Sequence, residues 1–203
     1  MYLQREEILA LKGSGDLVIS PTLSLEQIGE MTIDLRLGYD FLVSIQGREA
    51  FMDGSLNNDE TARSFNTFFH KTRRRPGETF LLHPHQAILG VTLEYLRLPK
   101  NICLILNMRS SYARLGLSLS TIVQPGYTGC LSIELINSGK NAINLTVGAR
   151  IFQARLVKME YESNYFSSER KYMCQVRPEV SAVNSDKDLM ILNKYWQSLN
   201  NRG

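Results

Sequence analysis

The chain of 203 residues is 43% hydrophobic, enough for one buried core with appendages, so a single folded domain is the starting expectation. Lysine and arginine exceed aspartate and glutamate by only 23 to 20, which excludes the charge excess of a protein that coats polymeric nucleic acid; any anionic ligand has to be gripped locally. No apolar run approaches the roughly 18 residues of a membrane span, and MYLQREEILALKGSG lacks the apolar stretch of a signal peptide, so a soluble, cytoplasmic protein without a membrane partner is expected.

Residues 4–12 carry Ile8 and Leu11 among charged neighbours and stop at Gly13-Ser14-Gly15, the pattern of a short amphipathic helix. Residues 32–38 alternate apolar and polar side chains, placing Asp34 and Arg36 on one polar face of a strand, and 41–43 continue as a second strand after a turn. Periodicity fades over 52–76, a long excursion whose basic run at 71–75 reads as a solvated loop in preference to a phosphate clamp. Short apolar segments follow at 79–82, 87–93, 102–106, 131–135, 143–145 and 151–157. Prolines and glycines punctuate them in the rhythm of a β-sandwich or barrel. After the candidate caps Ser185 and Asp186, Leu189, Leu192, Tyr195 or Trp196, and Leu199 recur at helical spacing, so a C-terminal helix is expected to pack on its own fold or on a sister subunit.

Cys103, Cys130 and Cys174 are too few and too far apart for a disulfide framework and fit a reducing compartment. His70, His83 and His85 come without ligand spacing, so neither structural nor catalytic zinc is expected. Two segments carry chemistry. In Arg109-Ser110-Ser111-Tyr112-Ala113-Arg114-Leu115-Gly116, two hydroxyls and a guanidinium stand where a strand gives way to a helix, a setting suited to phosphate oxygens; a serine-capped helix with a surface arginine is the plainer alternative. In the strand after Gln124-Pro125-Gly126-Tyr127, period two puts Ser132, Glu134 and Ile136 on one face. Partial enclosure there would suit Glu134 to proton transfer, whereas an isolated strand glutamate ordinarily faces solvent.

The order of the pieces then resembles the dCTP deaminase family of the dCTP deaminase and trimeric dUTPase superfamily, over nearly the whole chain. MTIDLRLG is similar to that family's SVDLRLG, HPHQAILGVTLEYLRLP to HPGEFALAVTLEYVRLP, MRSSYARLGL to GRSSLARLGL, PGYTGCLSIELINSG to PGFxGHITLELxN, and GARIFQARL to GMRIGQLxF. Tyr165 followed by Lys171-Tyr172-Met173-Cys174-Gln175 resembles the tail Tyr…KYxGQ.

The resemblance implies a mainly β fold, a distorted jelly-roll-like β-barrel of the dUTPase type with a few short helices and a C-terminal helix. Residues 1–180 would form the deaminase-like domain and 181–203 a helical extension. It implies a homotrimer with sites between subunits, and zinc-independent hydrolysis of dCTP, or a related deoxycytidine nucleotide, to dUTP and ammonia. Glu134 would be the general base, with Arg114 and Ser110 positioning water and stabilising charge. Arg109, Ser111, Lys171 and Gln175 would hold the triphosphate, whose own oxygens would carry a charge-neutralising Mg2+, Tyr165 would bind substrate, and Tyr127 would lie by the deoxyribose. The chain reads LGLSLSTIVQPG where the family has the longer LGLxxHxTAGxIDPG, so Gln124 replaces an aspartate that bonds the sugar 3′-hydroxyl and serves pyrophosphatases of the superfamily as base. The shortened stretch bears on turnover and motivates a second reading, a noncatalytic or altered-specificity trimeric nucleotide binder. The missing carboxylate leaves dUTP pyrophosphatase third.

Overall fold

The computed structural model describes residues 1–45, 51–54, 65–165 and 171–200. The middle of the expected excursion, 55–64, lies outside them. Helix α1 (Arg5–Ser14) begins with a capping box in which Glu7 Oε2 accepts the Gln4 amide at 2.9 Å, and it ends at Gly15 in the left-handed region, as the glycine signal implies. Its single fully buried residue, Ile8, pins it to the core.

Among the described residues twelve strands follow, in three separately hydrogen-bonded antiparallel sheets. One sheet joins β1 (Val18–Ser20), β3 (Asp40–Ser44), β4 (Phe69–Arg73), β6 (Ala87–Arg97), β8 (Leu117–Ser118) and β10 (Thr128–Asn137), in the order β4-β3-β6-β10-β8 with β1 also on β6. The second runs β2-β12-β7-β9, made of β2 (Ile33–Arg36), β12 (Arg150–Lys158), β7 (Ile102–Met108) and β9 (Ser120–Val123). A third pairs β5 (Thr79–Leu82) with β11 (Ile143–Thr146). All three feed one apolar interior. Inward positions such as Leu35, Phe41, Leu82, Leu104, Leu145 and Phe152 are nearly inaccessible to solvent, each worth roughly 1.5–3 kcal/mol of transfer free energy. The non-sequential order, with β12 between β2 and β7 and β10 between β6 and β8, gives the jelly-roll-like, mainly β architecture expected.

Two expectations change. Lys71 and Arg73 belong to β4, an edge strand paired with β3, and not to a loop. Alternation is hidden there because a strand at a sheet edge tolerates charge on exposed positions; Arg73 stacks over the Tyr39 ring at 5.0 Å and lies 3.8 Å from Asp40. Arg36, expected on a solvated face with Asp34, is buried. Its guanidinium donates to Gln27 Oε1 at 2.6 Å and Glu94 Oε1 at 3.1 Å, while its amide donates to Glu94 Oε2 at 2.8 Å. The C-terminal helix forms as α3 (Lys187–Asn200), yet Ile191, Leu192, Tyr195 and Trp196 remain exposed on the single chain. Among the described residues no helix is long and apolar enough to cross a membrane.

Candidate active site

Strand β7 ends in the buried Met108, and the chain turns at Arg109 (φ −62°, ψ 143°) into the one-turn helix α2 (Ser110–Ala113). Tyr112 and Ala113 both bond back to the Arg109 carbonyl, which leaves the amides of Ser110 and Ser111 without backbone partners. The Arg109 guanidinium is held rather than free. Its Nη1 donates to the Arg150 carbonyl at 3.0 Å and its Nε lies 3.4 Å from Asp34 Oδ2, a carboxylate also 3.8 Å from Arg150. Ser111 and Arg114 are exposed, and neither side chain has a partner among the described residues. Ser110 is exposed in the same way.

The turn returns through Gly116 (φ 100°), where a Cβ would stand 3.0 Å from the Gly139 nitrogen. Only glycine permits this approach, and the Gly116 carbonyl takes the Ser138 amide at 2.8 Å. Strand β8 then pairs with the end of β10, Ser118 opposite Ile136, which ties the serine-arginine turn to the strand that carries Glu134. The segment after it, where the chain is shorter than the family pattern, runs straight into β9 along β7. Gln124 closes β9 at an exposed position.

Glu134 lies opposite Leu89 on the outer face of β10. Its carboxylate is exposed at the rim of a cavity of about 520 Å³ and makes no hydrogen bond or ion pair among the described residues. Phe65, Phe69 and Leu89 give the cavity an apolar lining, and Tyr172, Glu179 and Val183 line it as well. Glu134 is thus less enclosed in the single chain than the sequence pattern suggests. No bond joins it to Ser110 or Arg114.

The remaining candidates are dispersed. Tyr127 is buried, with its hydroxyl donating to the Cys130 carbonyl at 2.6 Å, and burial pushes the phenol above its ordinary range. Tyr165 is partly exposed, its amide donating to Ser163 Oγ at 3.1 Å. The tail lies along the start of β10, Cys174 bonding the Thr128 carbonyl and Cys130 donating to the Gln175 carbonyl. Cys174 has φ 55°, which explains why a glycine suits that tail position. Lys171 pairs with Asp186 at 2.5 Å, and Gln175 is buried with both amide atoms unpartnered among the described residues. Asp34, Arg150 and Asp186 are charged partners of the candidate residues that spacing missed. Only the polar alternation of 32–38 pointed toward the first.

A family model described as dCTP deaminase-like matches residues 2–159. The chain belongs to the dCTP deaminase-like family. A dCTP deaminase of Pectobacterium atrosepticum is 38% identical over 155 residues, covering 74% of this chain and 80% of that protein. One from Halorubrum lacusprofundi is 32% identical over 195 residues, covering 93% and 94%, and a dUMP-forming dCTP deaminase of Methanobrevibacter smithii is 29% identical over 182 residues, covering 86% and 91%. The solved 2'-deoxycytidine 5'-triphosphate deaminase of Agrobacterium tumefaciens superposes with a TM-score of 0.58 at 24% identity over 76% of this chain, a likeness of fold. This chain spans 46% of that solved chain. Within this dCTP deaminase-like chain the family match takes in Arg109 to Arg114 and Glu134 and stops short of the tail and α3.

Proposed function

We propose that the protein hydrolyses the amino group of a deoxycytidine nucleotide, dCTP first among them, to give dUTP and ammonia without zinc. The observation that carries this reading is an uncommitted carboxylate, Glu134, at the rim of an apolar-walled cavity in a chain of the dCTP deaminase-like family. Glu134 takes a proton from water as hydroxide adds to C4 and passes that proton to N3. It then moves the hydroxyl proton to the amino group, which leaves as ammonia. Arg114 and Ser110, exposed and unpartnered in the single chain, orient the water and stabilise charge on the ring. Arg109, pre-oriented by Asp34 and the Arg150 carbonyl, grips the phosphates with Ser111, and Lys171, Gln175 and Tyr165 join from the tail. Gln124 offers its amide to a sugar hydroxyl. Magnesium would arrive on the triphosphate, held by phosphate oxygens and water, because the nearby Asp34 is already bonded to two arginines.

Chelator-washed protein with magnesium restored should release ammonia from dCTP and form dUTP, and Glu134→Gln should remove turnover while nucleotide binding persists. Binding without ammonia in the wild type would favour the noncatalytic binder, a reading motivated by the direct run of the shortened segment into β9. A dUMP product, as the name of the Methanobrevibacter relative describes for that protein, would instead add pyrophosphate release.

A homotrimer is part of the same proposal, in a reducing cytoplasm suited to free thiols. One chain leaves Glu134 unjoined to Arg114, and α3 keeps its apolar side chains exposed. If the groups meet across subunits, mixing Glu134→Gln and Arg114→Ala chains should regenerate part of the activity that each lacks alone. Failure of properly mixed trimers to do so would place both groups in one subunit.

A further inference from the structure

The C-terminal segment is folded back on itself beside the Glu134 cavity. Lys171 Nζ meets Asp186 Oδ1 at 2.5 Å, and the Tyr172 hydroxyl accepts the Ala182 amide at 2.7 Å. Tyr172, Glu179 and Val183 of this segment line the cavity. Asp186 stands immediately before α3, where its carbonyl takes the Met190 amide while its carboxylate reaches back to Lys171. Gln175, a few residues after Lys171, is 4% exposed and buries an amide whose nitrogen and oxygen both lack partners among the described residues. A buried amide without partners is unfavourable, so this resting arrangement leaves hydrogen-bonding capacity unused.

From these contacts we infer that Asp186 is a specificity-determining residue: its carboxylate holds Lys171 in place of the nucleotide's terminal phosphates, which weakens binding of a long phosphate chain that has to displace it and leaves a monophosphate unaffected. The inference rests on the reading of Lys171 as a triphosphate contact. A carboxylate and a phosphate are both anionic acceptors, and a carboxylate already seated on the ammonium repels a phosphate brought to the same group. Asp186 is half exposed, so water takes over its solvation when it is displaced, and the exchange is governed by the charge and reach of the incoming chain. A triphosphate offers several oxygens with more negative charge than a single carboxylate. A monophosphate, ending at the Arg109 and Ser111 cradle, gains nothing from Lys171 and leaves the internal pair intact.

The test is calorimetric titration of the full-length protein in a Glu134→Gln background, with dCTP, dCMP and inorganic tripolyphosphate as probes. Asp186→Asn should bind dCTP and tripolyphosphate about two- to fivefold tighter, the range of an exposed ion pair, with dCMP unchanged. Asp186→Glu, which restores the carboxylate, should return the wild-type affinities, and in the Glu134-containing enzyme KM for dCTP should fall while kcat stays the same. Equal dCTP affinity in the two proteins would overturn the inference, as would equal tightening of dCTP and dCMP, which would make the segment a steric wall only. Binding of none of the three probes by either protein also overturns it. Binding with the expected ratios but without ammonia from the Glu134-containing enzyme sinks the deaminase reading alone.

Discussion

Two glutamates on neighbouring strands of one sheet have opposite surroundings. Glu94 on β6 is fully buried, bonded by Gln27 and twice by Arg36, and every oxygen is engaged. Glu134 on β10 is exposed, with no bond of its own and a cavity in front of it. Arginine is divided in the same way, Arg36 locked in the interior and Arg114 free at the surface. Groups whose hydrogen-bonding capacity is used within the chain hold the fold together, and groups whose capacity is left over are the ones available to a ligand.

The sharpest way to break this contrast is at Glu134. Replacing it by glutamine should lower turnover by about 10²- to 10⁴-fold while the thermal midpoint moves little, because no bond inside the chain is lost. A large loss of stability instead would mean that Glu134 is structural after all. Arg36→Ala should do the reverse. It strands a buried carboxylate and should cost about 3–5 kcal/mol in urea unfolding, with the folded fraction keeping its ammonia release per molecule.

A smaller effect separates the two carboxylates by pH. Burial raises the Glu94 carboxyl above its ordinary 4.5, against the opposing pull of its bonds to Arg36. The folded protein then keeps that proton to higher pH than the unfolded chain does. The stability it contributes is complete below about pH 4.5 and is lost as pH rises through the folded value. Melting curves collected across that window should slope downward with pH in the wild type relative to Glu94→Gln. Parallel curves would remove Glu94 as the source.

Much of the fold was legible because alternation and turn residues report directly on strands. Segments 102–106 and 151–157 correspond to β7 and β12, and Gly15 and Gly116 mark the turns their conformations require. Strand β4 was not legible, since a short edge strand with Lys71 and Arg73 on its exposed positions has the composition of a loop. The site divides similarly. The junction at Arg109 to Arg114 could be read from hydroxyls and a guanidinium at a strand end. Composition and periodicity did not distinguish Glu94 from Glu134, which only the resemblance of its segment to the family pattern singled out, because both sit among apolar strand neighbours and the packing of the sheets decides which is sealed. The pairing of Lys171 with Asp186 was hidden for a related reason. It depends on the path of the tail, and neither residue belongs to a periodic pattern that forecasts the other.

Strand β4 also sets a limit on growth. It lies at the end of the six-stranded sheet, an edge whose backbone could otherwise template a further strand from another molecule. Lys71 and Arg73 on that edge, with Arg74 and Arg75 just beyond it, would face an identical row of positive charges if two copies met edge to edge. Such repulsion would disfavour open-ended, fibre-like extension of the sheet.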